Sequence, residues 1–421
     1  MSVESRTVYV APLSERPLGT SATATAAGLP HVALQVLQQR RVVEGRVLLL
    51  ADRPLSAREL VTAPRFQLTR GSTSEATETV RAGDFAAVVV TLAKAETADL
   101  EALLPAIATG LSQDTVLVLL LRAPRLTREL ECKTDAREAA HLLLLQAGYD
   151  RVWPQAHGKT LCLSARRAAA AQGRRICSII VPVFNERETF PELMRRVMSK
   201  SLDSLGLERE IVIVESNSTD GTREQVAALA GTPGVRILWQ DRPRGKGYAV
   251  REGLQAATGD IVLIQDADLE YDVGDYDAVL EPLLQGRAAF VLGSRHSGRT
   301  GGMRQFTDQR WVGALFNFGH LCFTGLINVL YGQKLQDPFT MYKVFRRDCL
   351  YGLPLECNRF DFDHELVIKL VLKGYRPLEI PVSYRSRSFK QGKKIRPFRD
   401  VLTWIAADVR YRLRPLRPHL D

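Results

Sequence analysis

A short apolar run in the segment IVLIQDADLEYD, residues 261–272, is followed by a cluster of carboxylates around Asp266, Asp268 and Glu270. Carboxylates this close to one another repel unless a cation lies among them. In extended chain Asp266 and Asp268 point to the same side. Mg²⁺ and Mn²⁺ prefer hard oxygen ligands and complete their coordination with substrate phosphates. The segment therefore predicts a Mg²⁺ or Mn²⁺ site at the end of a buried strand.

Polar residues also follow other predicted strands in the same part of the chain. The apolar run ICSIIVPV leads to Asn185 and Glu186, and the run EIVIVE ends at Glu215 before the loop SNSTDGT. The loop RPRGKG carries Lys246 and precedes a predicted helix. In a doubly wound α/β sheet the carboxyl ends of the strands form one crevice, where ligands bind. We therefore expect these residues to share a ligand site.

Seven motifs follow one another from residue 176 to about residue 400: VPVFNE, VESNSTDGT, GKG, QDADLEYD, DPFTMYKVFRRD, FDFDHELVIKL and YRSRSFKQGKKI. Their order resembles that of a family 2 glycosyltransferase with the GT-A fold, and most of all the dolichyl- or polyprenyl-phosphate sugar synthases. The resemblance implies an α/β, Rossmann-like GT-A domain over residues 176–400. It also implies a GDP- or UDP-linked sugar donor, Mg²⁺ or Mn²⁺, and inversion at the anomeric carbon.

The resemblance also implies the residues of the donor site. Asp266 and Asp268 match the metal-binding DxD motif, and Glu270 stands where related synthases offer a further metal ligand. Glu215 matches the first Asp of the DDGS signature, but Ser216 and Asn217 replace the second Asp and the Gly. This departure affects the expected contacts to the nucleotide base. The positions implied in nucleotide-sugar binding are Pro182, Asn185, Glu186, Glu215, Lys246, Asp266 and Ala267.

A second group of residues matches positions that meet the acceptor phosphate or the leaving diphosphate. DPFTMYK replaces the usual SGF motif, so a hydroxyl contact to the acceptor would fall to Thr340. Arg387 lies in the segment that matches a mobile basic loop over the diphosphate, and we expect it to act in catalysis with Asp268. The implied acceptor-phosphate residues are Arg295, Arg310, Thr340, Lys393 and Lys394.

Two acceptor chemistries are open. A lipid phosphate is already an anion and requires no general base, whereas a hydroxyl must lose its proton to a carboxylate. Asp363 and Asp361 of RFDFDHE are the candidate bases, ahead of Glu365. Alternatively, Asp363 and Glu365 anchor a helix N-terminus, where negative charge is favourable. A third hypothesis is a non-catalytic binding or assembly protein, in which the altered ESNS motif reflects lost nucleotide affinity.

Residues 1–170 predict a smaller α/β domain. Apolar runs such as RVLLLAD, DFAAVVVTL and DTVLVLLLRAP alternate with helical stretches, which indicates a Rossmann-like sheet covered by helices. The order faintly resembles a class I methyltransferase, but no GxGxG loop follows Asp52. We expect a degenerate, non-catalytic module. A chain of 421 residues also exceeds the size at which one core stops growing.

A long uncharged stretch lies between Arg310 and Lys334. Its 23 residues are enough to span a bilayer, but Asn317, His320 and Asn328 interrupt it. We therefore expect an amphipathic helix in the membrane interface, and a helix packed on the sheet is the alternative.

The net charge of +10 is concentrated near the C-terminus. Between residues 385 and 417 eleven Lys or Arg stand against two Asp, so the tail at 401–421 is expected to meet an anionic membrane surface. A solvated basic end is the alternative. The aromatic residues form no base-stacking platform, so nucleic acid is not an expected partner. Six cysteines without a CxxC pair, and an N-terminus without a signal-peptide core, predict a cytoplasmic protein that is peripheral on the inner membrane face.

Overall fold

The structure is a computed structural model of the 421-residue chain. It describes residues 28–42, 44–51, 60–62, 66–70, 85–92, 97–112, 114–122, 136–157, 160–167, 175–296, 310–385 and 408–413. The chain divides into two compact units, Met1–Ala171 with His419–Asp421, and Gln172–Pro418.

The first unit is built on a six-stranded mixed sheet of order β4-β2-β5-β6-β8-β7. The first four of these strands pair in parallel, whereas β8 pairs antiparallel with both β6 and β7. The elements are β1 (Gly28–Pro30), α1 (His31–Gln39), β2 (Gly45–Ala51), β3 (Leu60–Thr62), β4 (Phe66–Arg70), β5 (Ala87–Leu92), α2 (Thr97–Ala108), β6 (Val116–Arg122), α3 (Ala136–Gln146), β7 (Tyr149–His157) and β8 (Thr160–Arg167).

Apolar side chains from α1 and from three neighbouring strands form a core in this unit. Leu37 of α1 lies in one buried cluster with Val47, Val89 and Val118, which come from β2, β5 and β6. The alternation of strands and helices therefore follows the apolar runs of the sequence. The likeness of this unit to a methyltransferase stays a prediction.

The second unit contains the predicted ligand crevice and a seven-stranded sheet. Its elements are β9 (Arg175–Val183), α4 (Phe190–Ser199), β10 (Leu207–Glu215), α5 (Thr222–Ala227), β11 (Val235–Trp239), α6 (Lys246–Ala256), β12 (Ile261–Ile264), α7 (Tyr276–Leu284), β13 (Phe290–Ser294), α8 (Arg310–Tyr331), β14 (Lys343–Arg346), α9 (Phe362–Lys373), β15 (Leu378–Pro381) and a last helix at 408–413, here α10.

The strand order in this sheet, β11-β10-β9-β12-β14-β13-β15, determines which residues meet. β9, β10, β11 and β12 are parallel, whereas β14 runs antiparallel to its neighbours β12 and β13. The carboxyl ends of the parallel strands therefore share an edge with the start of β14. Consequently, Lys343, the first residue of β14, lies at the same edge as the polar residues that follow β9, β10 and β12.

Candidate functional site

Asp266 and Asp268 lie where β12 ends, as the sequence predicts. The half-buried Asp266 forms an ion pair through Oδ1 with Nζ of Lys246, the first residue of α6. The buried Asp268 accepts a hydrogen bond at Oδ1 from the backbone N–H of Glu270 at 3.0 Å. The structure therefore brings together Lys246 and the DxD carboxylates, which stand about twenty residues apart in the chain.

Glu270, two residues further along this loop, is hydrogen-bonded to residues that follow β15. Its Oε2 accepts a hydrogen bond from the Tyr384 hydroxyl at 2.8 Å, and its carbonyl accepts one from the backbone N–H of Arg385 at 2.8 Å. Within the described ranges, no three His, Cys, Asp or Glu side chains come close enough to form a metal cluster by themselves. A metal at this site would have Asp266 and Asp268 among its protein ligands, with other positions available to water and phosphate oxygens. The role of Glu270 as a further ligand stays a prediction.

The chemistry of this donor set fits Mg²⁺ or Mn²⁺. Two carboxylates at a strand end offer hard oxygen atoms, and Mg²⁺ is commonly bound by one or two carboxylates together with substrate phosphates. Neither Cys nor His is among these ligands, so the set does not suit a structural zinc site. Bound there, a divalent cation would stabilise the negative charge of a departing diphosphate.

A further carboxylate, that of Asp363 in the first turn of α9, lies at the same edge of the sheet. Its Oδ1 lies 3.1 Å from Nζ of the fully buried Lys343. Burial acts to lower the pKa of Lys246, but the carboxylates of Asp266, Asp363 and Asp268 raise it above its usual value. Burial also lowers the pKa of Lys343, and the nearby Lys246 contributes to that decrease. Two lysines and three aspartates thus form one electrostatic group.

Close packing between α6 and α9 explains why Lys246 lies near Asp363. A Cβ at Gly247 would stand 2.5 Å from Cβ of Phe362, the first residue of α9. At Gly245, where φ is +107°, a Cβ would stand 2.3 Å from the carbonyl oxygen of Asn358. The glycines of the GKG motif therefore allow the two helix N-termini to approach, since any side chain there would separate them.

The loops that follow β9 and β10 are tied to each other. Asn185, with φ of +50°, donates its backbone N–H to Ser218 Oγ at 2.9 Å and accepts the backbone N–H of Thr219 at its Oδ1. Glu186 donates its backbone N–H to Thr222 Oγ1 at 2.9 Å. These contacts place the predicted donor residues in one structured wall of the crevice.

Two further predicted donor positions lie along this wall. Pro182 is in β9, paired in register with Val214 of β10. Ala267 lies between the DxD aspartates and accepts a hydrogen bond at its carbonyl from Thr189 Oγ1 at 3.1 Å. The same hydroxyl lies 3.0 Å from Glu186 Oε2, so its one proton can be donated to either oxygen, and it connects the loop after β9 with the loop after β12.

Glu215, the last residue of β10, has its carboxylate engaged inside the protein. It is fully buried, and its carboxylate accepts the backbone N–H groups of Ser218 at 2.6 Å and Asn217 at 3.1 Å. Its Oε2 also forms an ion pair with Arg223. All these partners belong to its own loop and to α5, so Glu215 organises the loop, and its contact with the nucleotide stays a prediction.

Two of the predicted acceptor residues are engaged inside the protein. Arg295 forms a buried two-pronged ion pair with Asp337, with Nε–Oδ2 at 2.7 Å and Nη2–Oδ1 at 2.6 Å. Thr340 is fully buried, and its hydroxyl donates to the carbonyl of Gly293 at 2.5 Å. The Thr340 hydroxyl is thus engaged with the backbone of β13, and its contact with the acceptor stays a prediction.

The remaining acceptor-side predictions fall outside the described side chains. Arg310 begins α8, but its side chain is not among those described. Arg387, Lys393 and Lys394 lie outside the described residues. Their roles at the acceptor and over the diphosphate stay predictions.

The acidic motif at the start of α9 has two structural roles. Asp361 precedes the helix, and Asp363 and Glu365 lie in its first turn, as the helix-anchor alternative predicts. Glu365 is fully buried and accepts the backbone N–H groups of Glu356 and Cys357 at 2.8 Å each. Asp363 points instead toward the lysines at the sheet edge, which leaves it as the acidic residue of this motif closest to the candidate site.

Lys343 is a site residue that the sequence analysis missed. Its only sequence signal is a lysine inside the apolar run TMYKVF, where a buried ammonium requires a partner. The partner, Asp363, is twenty residues further along, on a different element.

Comparison with known proteins agrees with this architecture. Residues 178–353 match the profile of glycosyl transferase family 2, and the match includes β9 to β14 with both DxD aspartates. The match covers 176 of the 421 residues, and over this segment the chain is similar to family 2 glycosyltransferases. The mixed sheet with its helices confirms the predicted α/β fold class.

Two curated proteins to which this chain is similar carry names of transferases that act with polyprenyl phosphates. Dolichol-phosphate mannosyltransferase from Pyrococcus furiosus is 27% identical over 218 residues, which cover 51% of this chain and 58% of the relative. Undecaprenyl-phosphate 4-deoxy-4-formamido-L-arabinose transferase from Edwardsiella ictaluri is 27% identical over 224 residues, which cover 51% of this chain and 62% of the relative. The chain thus spans about three fifths of each relative's length.

A solved structure with a similar chain is glucosyl-3-phosphoglycerate synthase from Mycobacterium tuberculosis, in complex with Mn²⁺, UDP-glucose and phosphoglyceric acid. It shares 21% sequence identity and a TM-score of 0.40, over 57% of this chain and 81% of that chain.

Proposed function

We propose that this protein is a family 2 glycosyltransferase that transfers a sugar from a UDP- or GDP-linked donor to a polyprenyl phosphate at a membrane face. The proposal of a lipid acceptor rests on an apolar stripe on the outer face of α8. Phe318, Leu321 and Val329 are 65%, 61% and 83% exposed. Their spacing along the helix places them on one side, so they form a continuous apolar surface.

The inward side of α8 carries the buried apolar Ile327 together with polar side chains. His320 and Thr324 are buried, and His320 Nε2 lies 3.1 Å from the carbonyl oxygen of Gln336. Asn328 exchanges two hydrogen bonds with the backbone of Leu335, at 2.9 and 2.8 Å. A helix that exposes several large apolar side chains on its outer side is suited to lie in a lipid interface.

No helix in the described part of the chain has the length and apolarity that crossing a bilayer requires. Contact with the membrane would therefore come from the α8 stripe together with the basic C-terminal region. Helix α10 exposes Arg410, Arg412 and Leu413, and it lies beside the end of α8 because Tyr331 donates its hydroxyl to the carbonyl of Asp408 at 2.5 Å. Basic side chains next to apolar ones favour anionic lipid.

The donor half of the site supports the transfer chemistry. Asp266 and Asp268 would hold Mg²⁺ or Mn²⁺, and Lys246 lies where a second positive charge could meet the diphosphate. A nucleotide sugar releases its diphosphate when the developing negative charge is stabilised, and these groups supply that stabilisation. Attack from the opposite face of the sugar would invert the anomeric carbon.

The acceptor chemistry follows from the placement of Asp363. A phosphate acceptor is already an anion and does not need this carboxylate as a base. In the structure Asp363 Oδ1 is engaged by the Lys343 ammonium at 3.1 Å, which suits a positioning role. The names of the two curated relatives, one a dolichol-phosphate and one an undecaprenyl-phosphate transferase, also support a polyprenyl phosphate acceptor.

Transfer to a hydroxyl acceptor is the second candidate function. Asp363 acts electrostatically on Lys246, which pairs with Asp266, so this carboxylate lies near the donor side of the site. A hydroxyl bound there could lose its proton to Asp363.

The test is a release assay for nucleoside diphosphate with a panel of sugar nucleotides and Mn²⁺, with and without a short-chain polyprenyl phosphate. We expect release that depends on the lipid phosphate, with sugar recovered on it. Release only with glycan acceptors would favour the second candidate, and absence of donor binding would reject both. Asp268→Asn should abolish release, whereas Asp241→Asn, in the exposed loop before α6, is the matched control.

A further inference from the structure

Lys246 occupies an unusual position for a lysine beside a metal site. Its Nζ contacts Oδ1 of Asp266, the first carboxylate of the DxD motif. Asp268, the second carboxylate of that motif, also acts electrostatically on the Lys246 ammonium. A single ammonium therefore offsets part of the negative charge of the two carboxylates that would otherwise bind a divalent cation, and one negative charge is left over.

Electrostatics make the ammonium and the divalent cation competitors. Two carboxylates at one strand end require a positive charge nearby, and either cation can supply it. Both cannot remain against Asp266 Oδ1, because like charges a few ångströms apart repel strongly in a half-buried site. The lysine side chain has four rotatable bonds, so its ammonium can leave while the backbone of α6 stays in place.

The structure limits where the displaced ammonium can go. Gly245 and Gly247 are packed against Asn358 and Phe362, so the backbone on both sides of Lys246 is fixed. Lys343 already engages Asp363 Oδ1 and adds positive charge on that side. The displaced ammonium would therefore move toward the position of the donor diphosphate, which is the anion that nucleotide binding adds to the site.

We propose that Lys246 is an internal counter-ion that holds the place of the divalent cation at Asp266 and moves onto the donor diphosphate when metal and nucleotide bind together. This inference rests on the proposed use of a divalent metal and a nucleotide donor, and it is independent of the acceptor. Binding of metal alone is then weakened by the lysine, whereas binding of metal with nucleotide is strengthened by it. The site would thereby favour the metal–nucleotide complex over either component.

The first experiment measures Mn²⁺ binding to the full-length protein without nucleotide, by electron paramagnetic resonance of free Mn²⁺. Lys246→Met should bind Mn²⁺ about tenfold more tightly than the wild type, because the competing charge is gone. The same variant should bind UDP or GDP in the presence of Mn²⁺ more weakly than the wild type. Mn²⁺ binding by Lys246→Met that equals or falls below that of the wild type overturns the proposal.

The matched control is Arg244→Met. Arg244 is exposed two positions before Lys246, and its guanidinium pairs with Asp241 at 3.0 Å. This variant removes the same unit of charge without touching Asp266, so its Mn²⁺ affinity should stay within about twofold of the wild type, in line with screening of exposed charges. An equal gain in both variants would assign the effect to net charge and reject a specific role for Lys246.

A second experiment needs no variant. Competitive acetylation of the wild-type protein, read by mass spectrometry, should show Lys246 becoming more reactive when Mn²⁺ is added, and protected again when UDP or GDP is added with Mn²⁺. Bound Mn²⁺ with unchanged Lys246 reactivity would contradict the displacement. If polyprenyl phosphate fails as acceptor while both experiments succeed, the proposed acceptor is wrong and the role of Lys246 stands.

Discussion

Lys343 and Asp363 form a buried ion pair, with Nζ and Oδ1 3.1 Å apart, between the first residue of an antiparallel strand and the first turn of a helix. Lys343 also donates to the carbonyl of Thr340, so its ammonium has partners on both sides. Because the pair lies at the sheet edge that carries the DxD motif, it links the packing of α9 to the geometry of the site.

Removing one member of this pair should cost both stability and activity. Lys343→Met would leave the buried Asp363 carboxylate without its counter-ion, and we expect the free energy of unfolding to fall by about 3–5 kcal/mol. Thermal and urea unfolding measure the change. Lys343→Arg keeps the charge and should recover part of the loss, and the double variant Lys343→Met with Asp363→Leu should be more stable than Lys343→Met alone. A Lys343→Met protein as stable as the wild type would show that the pair contributes nothing.

Asn217 explains how the loop after β10 keeps its conformation despite the altered signature. It has φ of +58°, in the left-handed region that Gly and Asn adopt most readily. Asn217→Gly should therefore leave stability and donor binding nearly unchanged. Asn217→Val should lower the free energy of unfolding by about 1–3 kcal/mol, since a β-branched residue is strained there. Chemical unfolding and nucleotide binding check both variants, and equal behaviour of the two would contradict a left-handed requirement.

Local sequence patterns predicted the strands that end at Val183, Glu215 and Ile264. A run of apolar residues that indicates a buried strand is contained within a few consecutive residues. These patterns also placed the polar residues at the correct edge of the sheet, since the carboxyl ends of parallel strands lie at the same edge. The roles of Arg295 and Lys343 were not predictable in this way. Arg295 pairs with Asp337, 42 residues away, and residue type alone does not distinguish a buried structural cation from a ligand-binding one.

Acidification should loosen the inner face of α8 through His320. Burial lowers its pKa from 6.5 to about 4, while Asp337 acts in the opposite direction and Arg295 and His296 act with burial. Because the folded-state pKa lies below the unfolded one, the neutral imidazole stabilises the fold above pH 6.5. That stability decreases as the pH falls toward 4, by about 3 kcal/mol in total.

The measurement for His320 is urea unfolding at pH values from 7 to 4, for the wild type and for His320→Gln. Glutamine does not titrate, so the variant should lose less stability across this range by about the amount assigned to His320. Burial raises the pKa of Asp337, but its partner Arg295 outweighs burial and lowers that pKa to about 2. Asp337 therefore loses its contribution to stability only below this pH range. Parallel stability curves for the two proteins would exclude His320 as the titrating group.

The outer face of α8 should determine binding to membranes. Leu321→Gln with Val329→Gln replaces two exposed apolar side chains and should reduce partition onto anionic liposomes at least tenfold, since burying each such side chain contributes about 1.5–3 kcal/mol. Trp239→Gln is the control, because Trp239 is also exposed, at 45%, but lies at the end of β11. Cosedimentation at low and high salt separates this apolar term from the electrostatic term of the basic tail. If the double variant binds like the wild type at high salt, the apolar stripe does not contact lipid and the case for a lipid-phosphate acceptor loses its main structural support.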